Sequence, residues 1–167
     1  YLRDIGMEFG AEVNAYTAIE HTVYSLEMPL DNPAFFDTGL NVLREWATAI
    51  TFDPVEVEKE KGVILEERRL GLGPAEQARK AELPVLLGGS RQASREPIGT
   101  EDSVLGATAE SLKAFYRKNY RADRMAVMIV GDINPTWVAE KLEREFSFPN
   151  PDGEAKPVPG FPVRQIG

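Results

Sequence analysis

The sequence predicts an α+β domain: an antiparallel-rich sheet with helices packed on one face. Two observations carry this expectation. Residues 11–29 are rich in Val, Tyr, Thr and Ile and alternate with period two, which puts Thr22, Tyr24, Leu26 and Met28 on one side, as in a half-buried strand. Elsewhere, Asp or Asn followed by Pro recurs just ahead of apolar residues at helical spacing. That pairing joins a capping oxygen to a ring whose φ is already helical. No internal repeat of solenoid length is visible, so the fold is not a stacked array.

The elements follow in order. Residues 11–29 form two strands with a turn near Thr17–Glu20. Asp31, Asn32 and Pro33 open a helix whose Leu40, Leu43, Trp46, Ala47 and Ile50 make a core-facing stripe. Asp53-Pro54 opens a second helix, running to Arg69 or Leu70 before the Gly-Leu-Gly-Pro break at 71–74. A third helix spans Ala75 to about Leu87, and Pro84 should kink or end it. Residues 88–100 lack periodicity and read as a loop, after which Thr108 or Ala109 starts a helix carrying Leu112, Phe115 and Tyr116. Met125–Val130 is a short apolar run expected to form a central strand, closed by Gly131-Asp132. Asn134-Pro135 opens a last helix with Val138, Leu142 and Phe146 in register. Five of the twelve prolines lie between 149 and 162, a density typical of an extended connector. The domain is therefore expected over 1–148, with 149–167 a Pro-rich linker or the start of a next segment.

Composition narrows the function. A chain of 167 residues, 43% hydrophobic and 28% charged, can bury about 70% of its unfolded surface and build its own core. No apolar run has the ~20 residues of a membrane-spanning helix. With 27 acidic against 19 basic residues, the net charge is −8. No basic stripe is present to neutralise phosphates, so neither nucleic acid nor a lipid surface is an expected partner. There is no Cys, hence no thiolate ligand or cysteine nucleophile, and the single His, His21, cannot make a two-His zinc site by itself. His21 reads as a structural strand residue. A serine hydrolase built around it would need a nucleophile elbow, and no G-x-S-x-G occurs. The glycine patterns of nucleotide-binding loops are also missing.

The second helix is the most informative segment. At about 100° per residue, Glu60 and Glu67 fall within ~20° of each other and in the stripe of Val57, Val63 and Ile64. A carboxylate on an apolar face needs a cation, a donor network or a metal. The two acids therefore either bind Arg or backbone donors across a helix interface or serve a metal site. A second candidate is Asn14-Ala15-Tyr16, a nearly uncharged stretch. It reads either as an ordinary internal strand or as an edge that takes up an extended peptide by backbone pairing.

Taken in order, NAYT, EHTVY, EKEKGVILEE, PIGTEDSV and SLKAFYRKNYRADRMAVMIVGD resemble the insulinase/pitrilysin family of zinc metallopeptidases. The family includes mitochondrial processing peptidase and bacterial zinc proteases, and the resemblance covers about residues 2–148. It implies a metallopeptidase-like half-domain. In that family an H-x-x-E-H helix supplies two zinc-binding His and the general-base Glu. By this resemblance Glu67 matches the distal zinc ligand, Glu60 the supporting glutamate that orients it, and Asn14, Ala15 and Tyr16 the substrate-binding strand. No H-x-x-E-H occurs in the chain, and the family places its distal glutamate further from that motif than the 66 residues preceding Glu67. The general base is therefore expected upstream of Tyr1.

The resemblance thus implies part of a zinc endopeptidase acting on peptides or unfolded proteins. Zinc belongs to the parent enzyme, and the chain alone is expected to bind none and to be inactive. The partners implied are a peptide substrate and a homologous second half or subunit. The alternative is a non-catalytic half serving as chamber wall or peptide-binding module. A bacterial periplasmic or envelope location is implied by the resemblance alone.

Overall fold

The computed structural model describes residues 10, 12–88, 90 and 92–149. The chain divides into two units. The first holds the described residues up to Tyr16, Thr22–Thr51 and those from Ala114 on, and the second holds Thr17–His21 and Phe52–Lys113. Strands β1 (Val13–Thr17) and β2 (Thr22–Leu26) form a two-stranded antiparallel sheet. Its turn is closed by the Ala18 N–H donating to the His21 carbonyl at 2.8 Å. His21 therefore lies in the turn and is exposed, one residue outside the strand in which it was expected.

In the first unit, α1 (Pro33–Thr48) starts where Asn32 accepts a hydrogen bond from the Ala34 N–H. Its predicted stripe is the covered one, with Leu40 buried and Leu43, Trp46, Ala47 and Ile50 partly so. Gly39 sits under Met28, and a β-carbon there would collide with the Met28 sulfur. Helix α1 packs on β2 and on α6 (Pro135–Phe146). The α1 and α6 faces meet through Phe36 and Trp137, ring centres 5.0 Å apart, and through an ion pair of Lys141 with Asp37. Helix α5 (Ala109–Asn119) begins in the second unit and ends in the first, where its Tyr116 hydroxyl donates to the Trp46 carbonyl at 2.7 Å. Tyr24 and Tyr120 share a 2.5 Å hydrogen bond, and Tyr116 stacks on Tyr120 with ring centres 4.5 Å apart. Buried hydroxyls of this kind stay low in energy only while paired.

In the second unit, α2 (Pro54–Leu70) is capped by Asp53, whose carboxylate accepts from the Val55 and Glu56 N–H groups. Helix α3 (Pro74–Leu86) contains Pro84 in its last turn. There the missing N–H removes one bond near the helix end instead of breaking the middle. A short helix, α4 (Glu101–Leu105), was not expected from the sequence. Thr100 and Ser103 build a capping box for it, each hydroxyl accepting from the other's backbone N–H. The preceding Gly99 has φ +76°, and a β-carbon there would lie 2.7 Å from the Ser103 oxygen, so glycine is required on both counts.

Two expectations need correction or lie out of view. Met125–Val130 is not paired as a strand among the described residues. A strand needs a neighbour to pair with, and the described residues supply none; at Met125 the backbone angles lie in the extended region, φ −111° and ψ 149°. The Pro-rich connector falls almost wholly outside the described residues.

Burial, and next the Tyr120 hydroxyl, push the Tyr24 phenol well above its ordinary value of about 10. Its folded value exceeds its unfolded one, so its contribution is whole below about pH 10 and declines as pH rises further. Melting temperature followed from about pH 8 to 11 should fall at the alkaline end, and less steeply in Tyr24→Phe. Separately, Asp53→Ala should lower unfolding free energy by about 1 kcal/mol in denaturant titration.

Candidate functional site

Helix α2 carries five glutamates, Glu56, Glu58, Glu60, Glu66 and Glu67. Three are held by a cation one turn further on. Lys59 reaches Glu56 at 2.6 Å, Lys61 reaches Glu58 at 2.7 Å, and Arg69 reaches Glu66 at 2.6 Å. The Arg69 guanidinium holds the Glu66 carboxyl below its usual range. Glu60 and Glu67 make no ion pair or side-chain hydrogen bond among the described residues. The sequence explains the difference. Glu60 is followed at three and four residues by Val63 and Ile64, and Glu67 by Leu70 and Gly71, so neither has a cation within helical reach.

The two acids are not on the covered face of α2. That face is made by Val57, Lys61, Ile64, Leu65 and Arg68, all partly buried, whereas Glu60, Val63 and Glu67 are exposed, Val63 by 58%. Amphipathic spacing alone placed the centre of the buried face about 80° from where it lies. Two cations shift it. Lys61, whose side chain is only 13% exposed, donates to the Leu105 carbonyl at 3.1 Å, which satisfies the open end of α4. The Arg68 guanidinium donates to the Gly99 carbonyl at 3.4 Å. Their aliphatic stems pack while their heads find backbone oxygens. These cations were missed because charge was read as a marker of solvent. The i+3 pattern of Glu and Lys or Arg was the available signal.

Glu60 and Glu67 therefore share an open face of α2. About 10 Å of helix rise separates them, so one of them can ligate an ion directly while the other supports it from a distance. Among the described residues no three His, Cys, Asp or Glu side chains gather in a way that could hold a metal. Zinc takes four donors in a structural site and three in a catalytic one. The described residues by themselves do not supply that donor set.

Asn14, Ala15 and Tyr16 lie in β1, an outer strand of the described sheet, and all three are exposed. The Ser25 hydroxyl donates to the Asn14 carbonyl at 3.2 Å from β2. The stretch belongs to the first unit and the two glutamates to the second.

This mixed α+β architecture is that of a peptidase half-domain. Residues 2–70 match the family model described as insulinase (peptidase family M16), and residues 106–166 match the model of the peptidase M16 inactive domain. The chain belongs to the insulinase family of peptidases. Over 90% of its length it is 37% identical to the probable zinc protease PqqL of Haemophilus influenzae, covering 16% of that protein. Over 98% it is 32% identical to a zinc protease PQQL-like protein of Arabidopsis thaliana, covering 17% of it. Among solved structures, the first half of the periplasmic protease PqqL from Escherichia coli superposes with a TM-score of 0.89 at 31% identity, over 98% of this chain and 35% of that one. The ferredoxin protease FusC, in complex with Arabidopsis ferredoxin, gives 0.85 at 30% identity over 96% of this chain and 18% of that one. The chain thus spans about one sixth of the length of these two curated relatives.

Because neither acid is structurally engaged, Glu60→Gln and Glu67→Gln should each change unfolding free energy by less than about 0.5 kcal/mol. Lys61→Ala should cost about 1 kcal/mol or more, since it leaves the Leu105 carbonyl without its donor. Denaturant unfolding of the three variants side by side checks both expectations.

Proposed function

We propose that this chain is one part of a zinc-dependent metalloendopeptidase that hydrolyses peptides or unfolded proteins. Residues 1–148 form its domain and 149–167 lead onward. Glu67 is the metal ligand this part contributes, and Glu60 orients the groups around it. The general base and two further ligands come from an H-x-x-E-H segment upstream of Tyr1. The observation that carries the reading is the selective neutralisation on α2: every glutamate there has a cation partner except the two that match the family's ligand and its support. An uncompensated carboxylate on an open helix face is a competent metal ligand, because no Arg or Lys must be displaced first. Supporting carboxylates that orient ligands are typical of zinc sites.

When bound, zinc would polarise the scissile carbonyl and activate water. The chain's own tasks are narrower. Glu67 would present a carboxylate oxygen, Glu60 would hold a neighbouring ligand in place, and Asn14–Tyr16 would align an extended substrate by main-chain pairing from the outer strand β1. Such binding reads backbone more than side chains and suits short or unfolded peptides. A homologous second half or subunit would close the chamber.

The match of residues 106–166 to the inactive-domain model favours a second reading. In it the chain is a non-catalytic half that forms a wall or binds peptide without hydrolysing it. Under that reading Glu60 and Glu67 have no task.

In the longer protein, Glu67→Gln should abolish stoichiometric zinc binding and lower peptidase activity by at least about 100-fold, while Glu60→Gln weakens zinc affinity by about 10–100-fold. The 167-residue chain alone should bind no zinc tightly and cleave nothing. Zinc analysis by plasma emission with a quenched-peptide assay reads both. A chelator-sensitive peptidase activity in the isolated chain, with one bound zinc, would overturn the proposal.

A further inference from the structure

Two backbone hydrogen bonds fix the register of the β1–β2 hairpin. The Ala18 N–H donates to the His21 carbonyl and the Glu27 N–H to the Glu12 carbonyl, each at 2.8 Å. Ala15, midway between Glu12 and Ala18, therefore lies opposite Tyr24, midway between His21 and Glu27. In an antiparallel pair, positions that exchange backbone bonds alternate with positions that do not. Ala15 and Tyr24 stand an odd number of steps from either bonded pair, so they form an unbonded one, whose side chains share a face and come closest together. The backbone groups of Ala15 consequently point away from β2, toward the outer side of β1. Accordingly, the Ala15 N–H meets the Asn14 carboxamide oxygen at 2.8 Å and not a carbonyl of β2.

Tyr24 is thus the cross-strand neighbour of the residue best placed to pair with a peptide, and its ring is tied at the tip. The Tyr24 hydroxyl shares a 2.5 Å hydrogen bond with the Tyr120 hydroxyl, just past the end of α5. Its ring stands edge-on to Tyr120, centres 6.2 Å apart, and lies 5.7 Å from the Trp46 ring of α1. Tyr120 stacks on Tyr116, whose hydroxyl is anchored on the Trp46 carbonyl. Ala15, Tyr24, Trp46, Tyr116 and Tyr120 all belong to the first unit. The tie has a consequence for β1. An outer strand has a ladder partner on one side only, so its height in the sheet depends on what its inner face rests on. Phenylalanine would fill the same space as tyrosine, but only the hydroxyl pair fixes where the ring tip sits, because hydrogen bonds weaken steeply with misalignment.

We propose that Tyr24 and Tyr120 are positioning residues for peptide uptake: their hydroxyl pair, backed by Tyr116 on Trp46, holds Ala15 at the level where an extended peptide meets its N–H and C=O. The proposal rests on the reading of Asn14–Tyr16 as the substrate strand. Neither tyrosine touches the peptide. The peptide's carbonyl takes the Ala15 N–H over from the Asn14 side chain, and a peptide N–H donates to the Ala15 carbonyl. Both bonds must be met at once, so a strand that rocks about its ladder with β2 loses affinity even while the hairpin stays folded.

The test is fluorescence anisotropy of a fluorescein-labelled peptide of alternating threonine and valine, blocked at both ends and titrated with the purified chain and its variants. Tyr24→Phe and Tyr120→Phe should each raise Kd by about 5–10-fold. Each single change also leaves the other hydroxyl without its partner and lowers the melting temperature, whereas the double variant removes both hydroxyls and should melt above either single variant. Its Kd should nevertheless stay raised. Recovery of Kd together with melting temperature would overturn the proposal, since the pair would then serve stability alone. Ala15→Pro deletes an N–H that lies outside the β1–β2 ladder, and it should abolish binding with the hairpin intact. Peptide affinity that is indifferent to Ala15→Pro, or absent from the unmodified chain, would overturn the substrate-strand reading and the proposal with it. Binding lost in Ala15→Pro yet unchanged in the tyrosine variants would overturn the proposal alone.

Discussion

Charge compensation along α2 is the constraint on which the rest of the account depends. Of the five glutamates on this helix three are answered locally, each by a cation three residues on. Those pairs are exposed and contribute little stability singly. Their consequence is positional. They free Lys61 to reach the Leu105 carbonyl while it still serves Glu58, and they leave Glu60 and Glu67 as the two acids that nothing among the described residues claims. One helix thus anchors α4 with a partly buried cation and presents, on its open side, two carboxylates without an ion pair among the described residues.

The first unit shows the same logic in backbone form. Its core is secured by the tyrosine hydroxyls, by α1 on β2 and by the clasp of Lys141 between Asp37 and Trp137. Met125–Val130 alternates between half-buried and exposed side chains and is not paired as a strand among the described residues.

Much of this was legible in the sequence where the signal is local. The pairs Asn32-Pro33, Asp53-Pro54 and Asn134-Pro135 each open a helix where expected, because a cap and a proline act within one turn. The hairpin and the stripe of α1 were also legible. Helix α4 escaped because five residues give too little periodicity, although the Thr100 and Ser103 box was written in the sequence. The buried face of α2 was misplaced because it is set by what Lys61 and Arg68 reach across space. The central strand expected at Met125–Val130 is not formed among the described residues, because pairing depends on residues distant in sequence that a local apolar run does not reveal.

The identities of Glu60 and Glu67 as candidates came from their spacing and from the resemblance. Their lack of partners came from the structure. The spacing argument placed both acids on the covered face, and the structure puts them on the open one, so the expected ion pair across a helix interface is not formed among the described residues and the metal-related role rests on the resemblance.

The most direct measurement is a crystal structure of the longer protein with zinc, using anomalous scattering at the zinc edge to place the metal. The account requires a Glu67 carboxylate oxygen at about 2.0–2.2 Å from the ion, with Glu60 outside coordination distance and bonded to a ligand. Zinc placed elsewhere, with Glu67 paired to an arginine or lysine, would contradict it.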